Sequence, residues 1–138
     1  MTTKQPVHVF EVVSRDLDGL TDARGQSTKS MLASDTGILV SDVRVILGYQ
    51  VKGDLTEEEC KKCLYDLFAD PIIEKASHNE TLLSSFQAPP DLAIQVGFKP
   101  GVTDNSAQAA LDGLTTIFEH HSDSVVATTK TYAIWGAK

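Results

Sequence analysis

The chain has little cysteine, little basic charge and no long apolar run. Only two cysteines occur in 138 residues, too few for the disulfide framework of a small secreted domain. No apolar stretch approaches the length of a membrane span or of a signal-peptide core, so the cytosol is the expected compartment, with no membrane partner. Twelve Lys and Arg stand against nineteen Asp and Glu, for a net charge of −7, and no segment is strongly basic. A nucleic-acid binder would carry a basic footprint, and this chain lacks one. Also missing are a P-loop, a G-x-G-x-x-G and a Ser/His/Asp order; Gly25 and Gly37 stand alone. On this reading no catalytic residue, cofactor site or metal site is assigned, and the chain is not expected to be a catalyst on its own.

What is present suffices for one domain over residues 1–138, because an apolar fraction of 41% can supply a core. Val7 to Val13 is β-branched and apolar and reads as a strand. Asp18-Gly19 marks a turn, Thr21 or Asp22 can cap a helix running to about Ser34, and Gly37 is a plausible stop. Val43, Val45, Leu47, Tyr49 and Val51 alternate with other residues, which predicts a strand with one buried face. Thr56 and Glu59 form a capping box for a second helix, whose apolar stripe is Cys60, Cys63, Leu64, Leu67 and Phe68. Pro71 closes it. Ile72 to about Leu83 is read as a short strand and Ser84 to Pro90 as a linker. Leu92 to Phe98 is a further strand and Pro100-Gly101 a turn. Thr103 or Asp104 caps a third helix with Ala107, Ala110, Leu111, Leu114, Ile117 and Phe118 on its buried face, and Ser124 to Trp135 is the last strand.

The two ends of this map match. Gly19-Leu20-Thr21-Asp22 corresponds to Gly101-Val102-Thr103-Asp104, each following a strand and opening a helix. Ser41, Val43, Tyr49, Val51 and Gly53 correspond to Ser124, Val126, Tyr132, Ile134 and Gly136, with a shift of one residue between the two sets. The expected architecture is therefore α+β: two βαβ repeats, residues 7–83 and 91–136, related by a pseudo-two-fold axis, with ferredoxin-like layers of sheet and helices. The segment from Asp54 to Pro90 belongs to the first copy only.

These residues carry a resemblance. The helix start Gly19-Leu20-Thr21-Asp22-Ala23-Arg24-Gly25, the strand Ser41-Asp42-Val43-Arg44-Val45 and the segment Leu67-Phe68-Ala69-Asp70-Pro71-Ile72-Ile73-Glu74 resemble the small PurS-like subunit of phosphoribosylformylglycinamidine (FGAM) synthase. The second half, with Lys99-Pro100-Gly101-Val102-Thr103-Asp104-Asn105, is similar to the second copy in fused forms of that enzyme. Two features depart from the pattern: Ala107 stands where the first copy has Gly25, and the second copy stops at Lys138, before any counterpart of Thr56 to Glu74. The resemblance implies a non-catalytic assembly role in de novo purine biosynthesis. The module would join the synthetase and glutaminase parts and help form the ammonia path, within a glutamine-dependent ATP-using ligase. Homo-oligomer formation is expected as well. The alternative is a ferredoxin-like regulatory domain that binds a small molecule between helices and sheet.

Individual residues admit two readings. Cys60-Lys61-Lys62-Cys63 is a C-x-x-C, either redox-active or half of a metal site, or else two small apolar residues on a buried helix stripe. The buried reading is favoured, because Cys60 lies a turn inside the helix and no nearby His completes a zinc set. His120-His121 suits a helix C-terminus better than a metal, since neighbours on a helix point about 100° apart. Thr21-Asp22 and Thr103-Asp104 are either anion sites or caps, and an aspartate there favours capping. Arg44 faces away from Val43 and Val45, either toward a partner protein's carboxylate or into solvent. A second copy without a counterpart of the Leu64, Leu67 and Phe68 stripe should leave part of its sheet or of the third helix uncovered.

Overall fold

The computed structural model describes residues 6–15, 22–99, 101–118 and 123–136. The Asp18-Gly19 turn, Thr21, Pro100 and His120-His121 lie outside the described residues. The architecture is α+β, compatible with ferredoxin-like layering: a five-stranded antiparallel sheet and three helices. Strands β1 (Val7–Ser14), β2 (Asp42–Lys52), β3 (Glu74–His78), β4 (Leu92–Gly97) and β5 (Val125–Trp135) lie in the order β3-β1-β2-β5-β4. Helix α1 (Ala23–Met31) connects β1 to β2, α2 (Glu57–Cys63) follows β2, and α3 (Asn105–Ile117) connects β4 to β5. The strands flanking α1, and those flanking α3, are neighbours and antiparallel. No helix among the described residues is long and apolar enough to cross a membrane.

Local chemistry fixes the helix ends. Asp22 caps α1 by accepting from the Gly25 N–H, and Asp104 caps α3 by accepting from the Ala107 N–H. The Thr56–Glu59 capping box forms as expected, with both reciprocal bonds in place. Helices α1 and α2 each run on into a π turn, Leu32–Thr36 and Leu64–Phe68. Gly37 then stops the first in a left-handed conformation. Gly25 lets α1 sit against β2, because a Cβ there would fall on the Val43 carbonyl.

The helices cover one face of the sheet. Phe10, Val51, Leu55, Cys60, Cys63 and Leu114 form the core between them, with Tyr49, Leu67 and Phe68 against its edge. Rings interlock there: Phe10 and Phe68 lie 4.8 Å apart, Tyr49 and Phe68 4.4 Å.

The opposite face departs from the sequence expectation. Ser84 to Pro90, read as a linker, belongs to a strap that crosses the back of the sheet. Leu82, Leu83 and Phe86 pack there on Val13 and Ile46. Strands β1 and β2 are therefore buried on both faces, and Ile46 is fully buried although the period-two pattern placed it outward. The short strand expected within Ile72 to Leu83 forms only over Glu74–His78, followed by a single 3-10 turn at Leu83–Ser85.

Candidate functional site

The two aspartates at the helix starts are consumed internally. The β1–β2 ladder ends at the Val12–Leu47 pair, and the second Asp22 oxygen takes the Val45 N–H beyond it at 2.9 Å. The β4–β5 ladder ends at Gly97–Thr129, and the second Asp104 oxygen takes the Thr128 N–H at 2.8 Å. Each carboxylate thus caps a helix with one oxygen and extends a sheet ladder with the other. That leaves these helix starts built for a carboxylate of the chain itself rather than for a bound phosphate. Thr103 is exposed and makes no cap.

Arg44 also turns inward. Its side chain is 13% exposed, its Nε lies 3.5 Å from the Asp22 carboxylate, and its Nη2 donates to the Ser14 carbonyl. The guanidinium lies 5.3 Å from the Phe86 ring centroid, under the strap. Neither expectation for Arg44 holds: its carboxylate belongs to this chain, and the strap shields it from solvent.

Cys60 and Cys63 are free thiols, 1% and 0% exposed, as the helix stripe required. Burial pushes the Cys63 thiol up to about 12. Burial, then Glu59 and Glu57, raise Cys60 as well. The expectation that no histidine lies near them is wrong for Cys60. His8 reaches it from β1, with Nδ1 at 3.5 Å from Sγ, and His78 from β3 places Nε2 at 2.9 Å from the same Nδ1. One donor atom from each of the three residues lies within 4.8 Å of the others. Burial and His78 lower the His8 pKa, which favours the neutral imidazole. His8 Nε2 is buried without a hydrogen-bond partner. The strand expected over Val7 to Val13 puts His8 on the same side as Phe10, two residues on, although sequence alone did not single it out. It could not bring His78 there, because that needs the β1–β3 pairing, in which Phe10 faces His78.

A second feature is the surface of β4. All six of its residues are exposed, and Leu92, Ile94 and Val96 retain 44–50% of their surface. Among the described residues β4 ends the sheet and pairs only with β5. Ile94 stands opposite Tyr132, as Phe10 stands opposite Tyr49, yet Phe10 is fully buried. The difference is that α2 and its π turn lie over Phe10, whereas Ile94 keeps 44% of its surface exposed. A third feature is an open cavity of about 320 Å³ between α1 and the sheet, lined by Arg24, Ser27, Thr28, Val45, Lys130 and Tyr132. Compared with known proteins, the chain matches no family model, no curated protein and no solved structure.

Proposed function

We propose that this chain is a non-catalytic assembly module that docks other proteins through the face of β4, in the manner of the PurS-like part of FGAM synthase. In that role it would join a synthetase part to a glutaminase part in the cytoplasm and help line the ammonia path between them. One observation carries the docking reading. The stripe Leu92, Ile94 and Val96, continued by the 55% exposed Phe98, is apolar, contiguous and on an open sheet edge. Covering the remaining half of each side chain is worth about 1 kcal/mol apiece, or about 4 kcal/mol together. The occupant assigned to this face is an amphipathic helix of the synthetase part, on the precedent of α2 covering Phe10 at the matching position of β1.

The precedent rests on an internal duplication about a pseudo-two-fold between β2 and β5, which several pairings support. Leu47 and Lys130 pair at its centre. Gly53 and Gly136 fit closely against Ser124 and Ser41, which are themselves a matched pair of serines. Asp22 and Asp104 make the same two backbone contacts in their own halves.

Mixing the chain with a PurS-dependent synthetase and its glutaminase, followed by light scattering, tests the proposal. A stable complex that Ile94→Asp abolishes is expected. If the chain pairs with a second copy through β4 instead, the helix assignment falls and self-association takes its place. A monomer that binds neither protein sinks the assembly reading. The 320 Å³ cavity favours the alternative in that case, since Arg24 and Lys130 suit an anionic small molecule and the volume is that of a small ligand site. Stabilisation against heat by a nucleotide or amino acid would then support the regulatory domain.

A further inference from the structure

The meeting of His8, Cys60 and His78 is not used by the docking reading, and its hydrogen bonding is frustrated. His8 Nδ1 is approached by both His78 Nε2, at 2.9 Å, and Cys60 Sγ, at 3.5 Å. One ring nitrogen has either one proton or one lone pair to offer. If it carries the proton, it donates to only one of its two neighbours; if it carries the lone pair, only one of them donates to it. Two polar atoms therefore compete for the single capacity of His8 Nδ1, in a place where Cys60 is fully buried and the two rings are partly so. A cation removes the conflict, because it takes a lone pair from each atom at once.

We propose that His8, Cys60 and His78 bind one zinc-type d10 cation, with a water in the fourth position. The donor set is two imidazoles and a thiolate, the borderline-to-soft combination that selects zinc over magnesium or calcium. The three residues come from three elements, β1, α2 and β3, so the site is held by the fold rather than by one flexible loop. The spacing fits. Metal–nitrogen bonds of about 2.0–2.1 Å and a metal–sulfur bond of about 2.3 Å give tetrahedral edges of roughly 3.3–3.6 Å. The Cys60–His8 separation of 3.5 Å already lies on such an edge. The His8–His78 separation of 2.9 Å must open by a few tenths of an ångström, which breaks the ring–ring hydrogen bond as the metal replaces it. On binding, the Cys60 thiol loses its proton to solvent and the sulfur gives its electron pair to the metal; nothing is oxidised or reduced. Cys63, although it completes the C-x-x-C in sequence, takes no part, since its sulfur is not among the donor atoms that converge with His8 and His78.

The test is titration of the reduced, metal-free full chain with zinc(II) by calorimetry, and with cobalt(II) by the thiolate-to-cobalt absorption band. One equivalent should bind, with release of about one proton and a rise in thermal midpoint. Cys60→Ser should abolish the band, and His8→Gln or His78→Gln should weaken binding at least tenfold, since even supporting residues around a metal are worth 10–100-fold. Cys63→Ser, and a His120→Gln/His121→Gln double variant, should bind within about twofold of the parent. The proton count is taken on the parent chain, so it stands even where a histidine variant folds poorly. Absence of saturable binding in the parent overturns the proposal. So does a band that survives in Cys60→Ser, or one lost in Cys63→Ser or in the double histidine variant.

Discussion

Asp22 carries two structural tasks on one carboxylate, and replacing it separates them. Asp22→Ala removes the α1 cap, a loss of about 1 kcal/mol. It also strands the Val45 N–H beyond the end of the β1–β2 ladder, for about another 1–2 kcal/mol. Finally it takes the carboxylate from beside the largely buried Arg44. The total is about 3–4 kcal/mol. Asp104→Ala is the control within the same molecule. It loses a cap and the Thr128 contacts but no guanidinium, in a less buried setting, for about 2 kcal/mol. Asp22→Asn is the discriminating variant. Asparagine caps helices well, yet it has one acceptor oxygen where two backbone N–H groups need one each. It should recover only part of the loss, leaving about 1–2 kcal/mol. Urea unfolding of the three variants, with unchanged m-values, measures these differences. The reasoning fails if Asp22→Asn is as stable as the parent, or if the two alanine variants are equally destabilised.

Gly25→Ala should destabilise by about 2 kcal/mol or more, because its methyl meets the Val43 backbone, whereas Ala107→Gly at the matching place should cost only about 1 kcal/mol; chemical denaturation compares them. The Cys63 thiol, raised from 9.0 to about 12 in the fold, holds its proton where the unfolded chain has lost it. Stability should therefore be intact below pH 9 and fall by up to about 1.4 kcal/mol per pH unit from there toward pH 12, and Cys63→Ala should flatten that slope. His8 has the opposite sense among bases. Its lowered pKa means that the unfolded chain binds the proton first, so metal-free protein should lose stability as pH falls through and below 6.5, an effect absent from His8→Gln. Native thiol labelling should be slow at both cysteines, and rapid modification of Cys63 would contradict its burial.

Much of the fold was legible because the signals were local. The Thr56–Glu59 box, the Asp104 cap and the alternation from Val43 to Val51 each state their structure within a few residues. That part of the second copy's sheet or of its helix would be uncovered was legible too, from its lack of a Leu64-Leu67-Phe68 equivalent, but which of the two was not. Other features needed contacts that no local pattern encodes. Glu74–His78 is polar, with little alternation, and becomes a strand only because β1 offers an edge to it. That pairing brings His78 to His8 and Cys60, so the metal-like cluster was invisible for the same reason. Arg44 was misread because its neighbours, Ser14, Asp22 and Phe86, are all distant in sequence, and the strap that covers it looked like a linker.

The two borders of the sheet are unlike each other, and this sets what kinds of polymer the protein can make. The β3 border is five residues long and carries Glu74, Lys75 and His78. The β4 border is six residues long and apolar along one face. Adding β4 of one molecule to β3 of the next would repeat without end and grow a fibre, but it sets an apolar row beside a charged one. Joining β4 to β4 matches like with like about a two-fold axis, and the product has only β3 borders left to offer. A β4-to-β4 pair would leave the Glu74 and Lys75 borders outermost, which disfavours adding a third copy through this sheet.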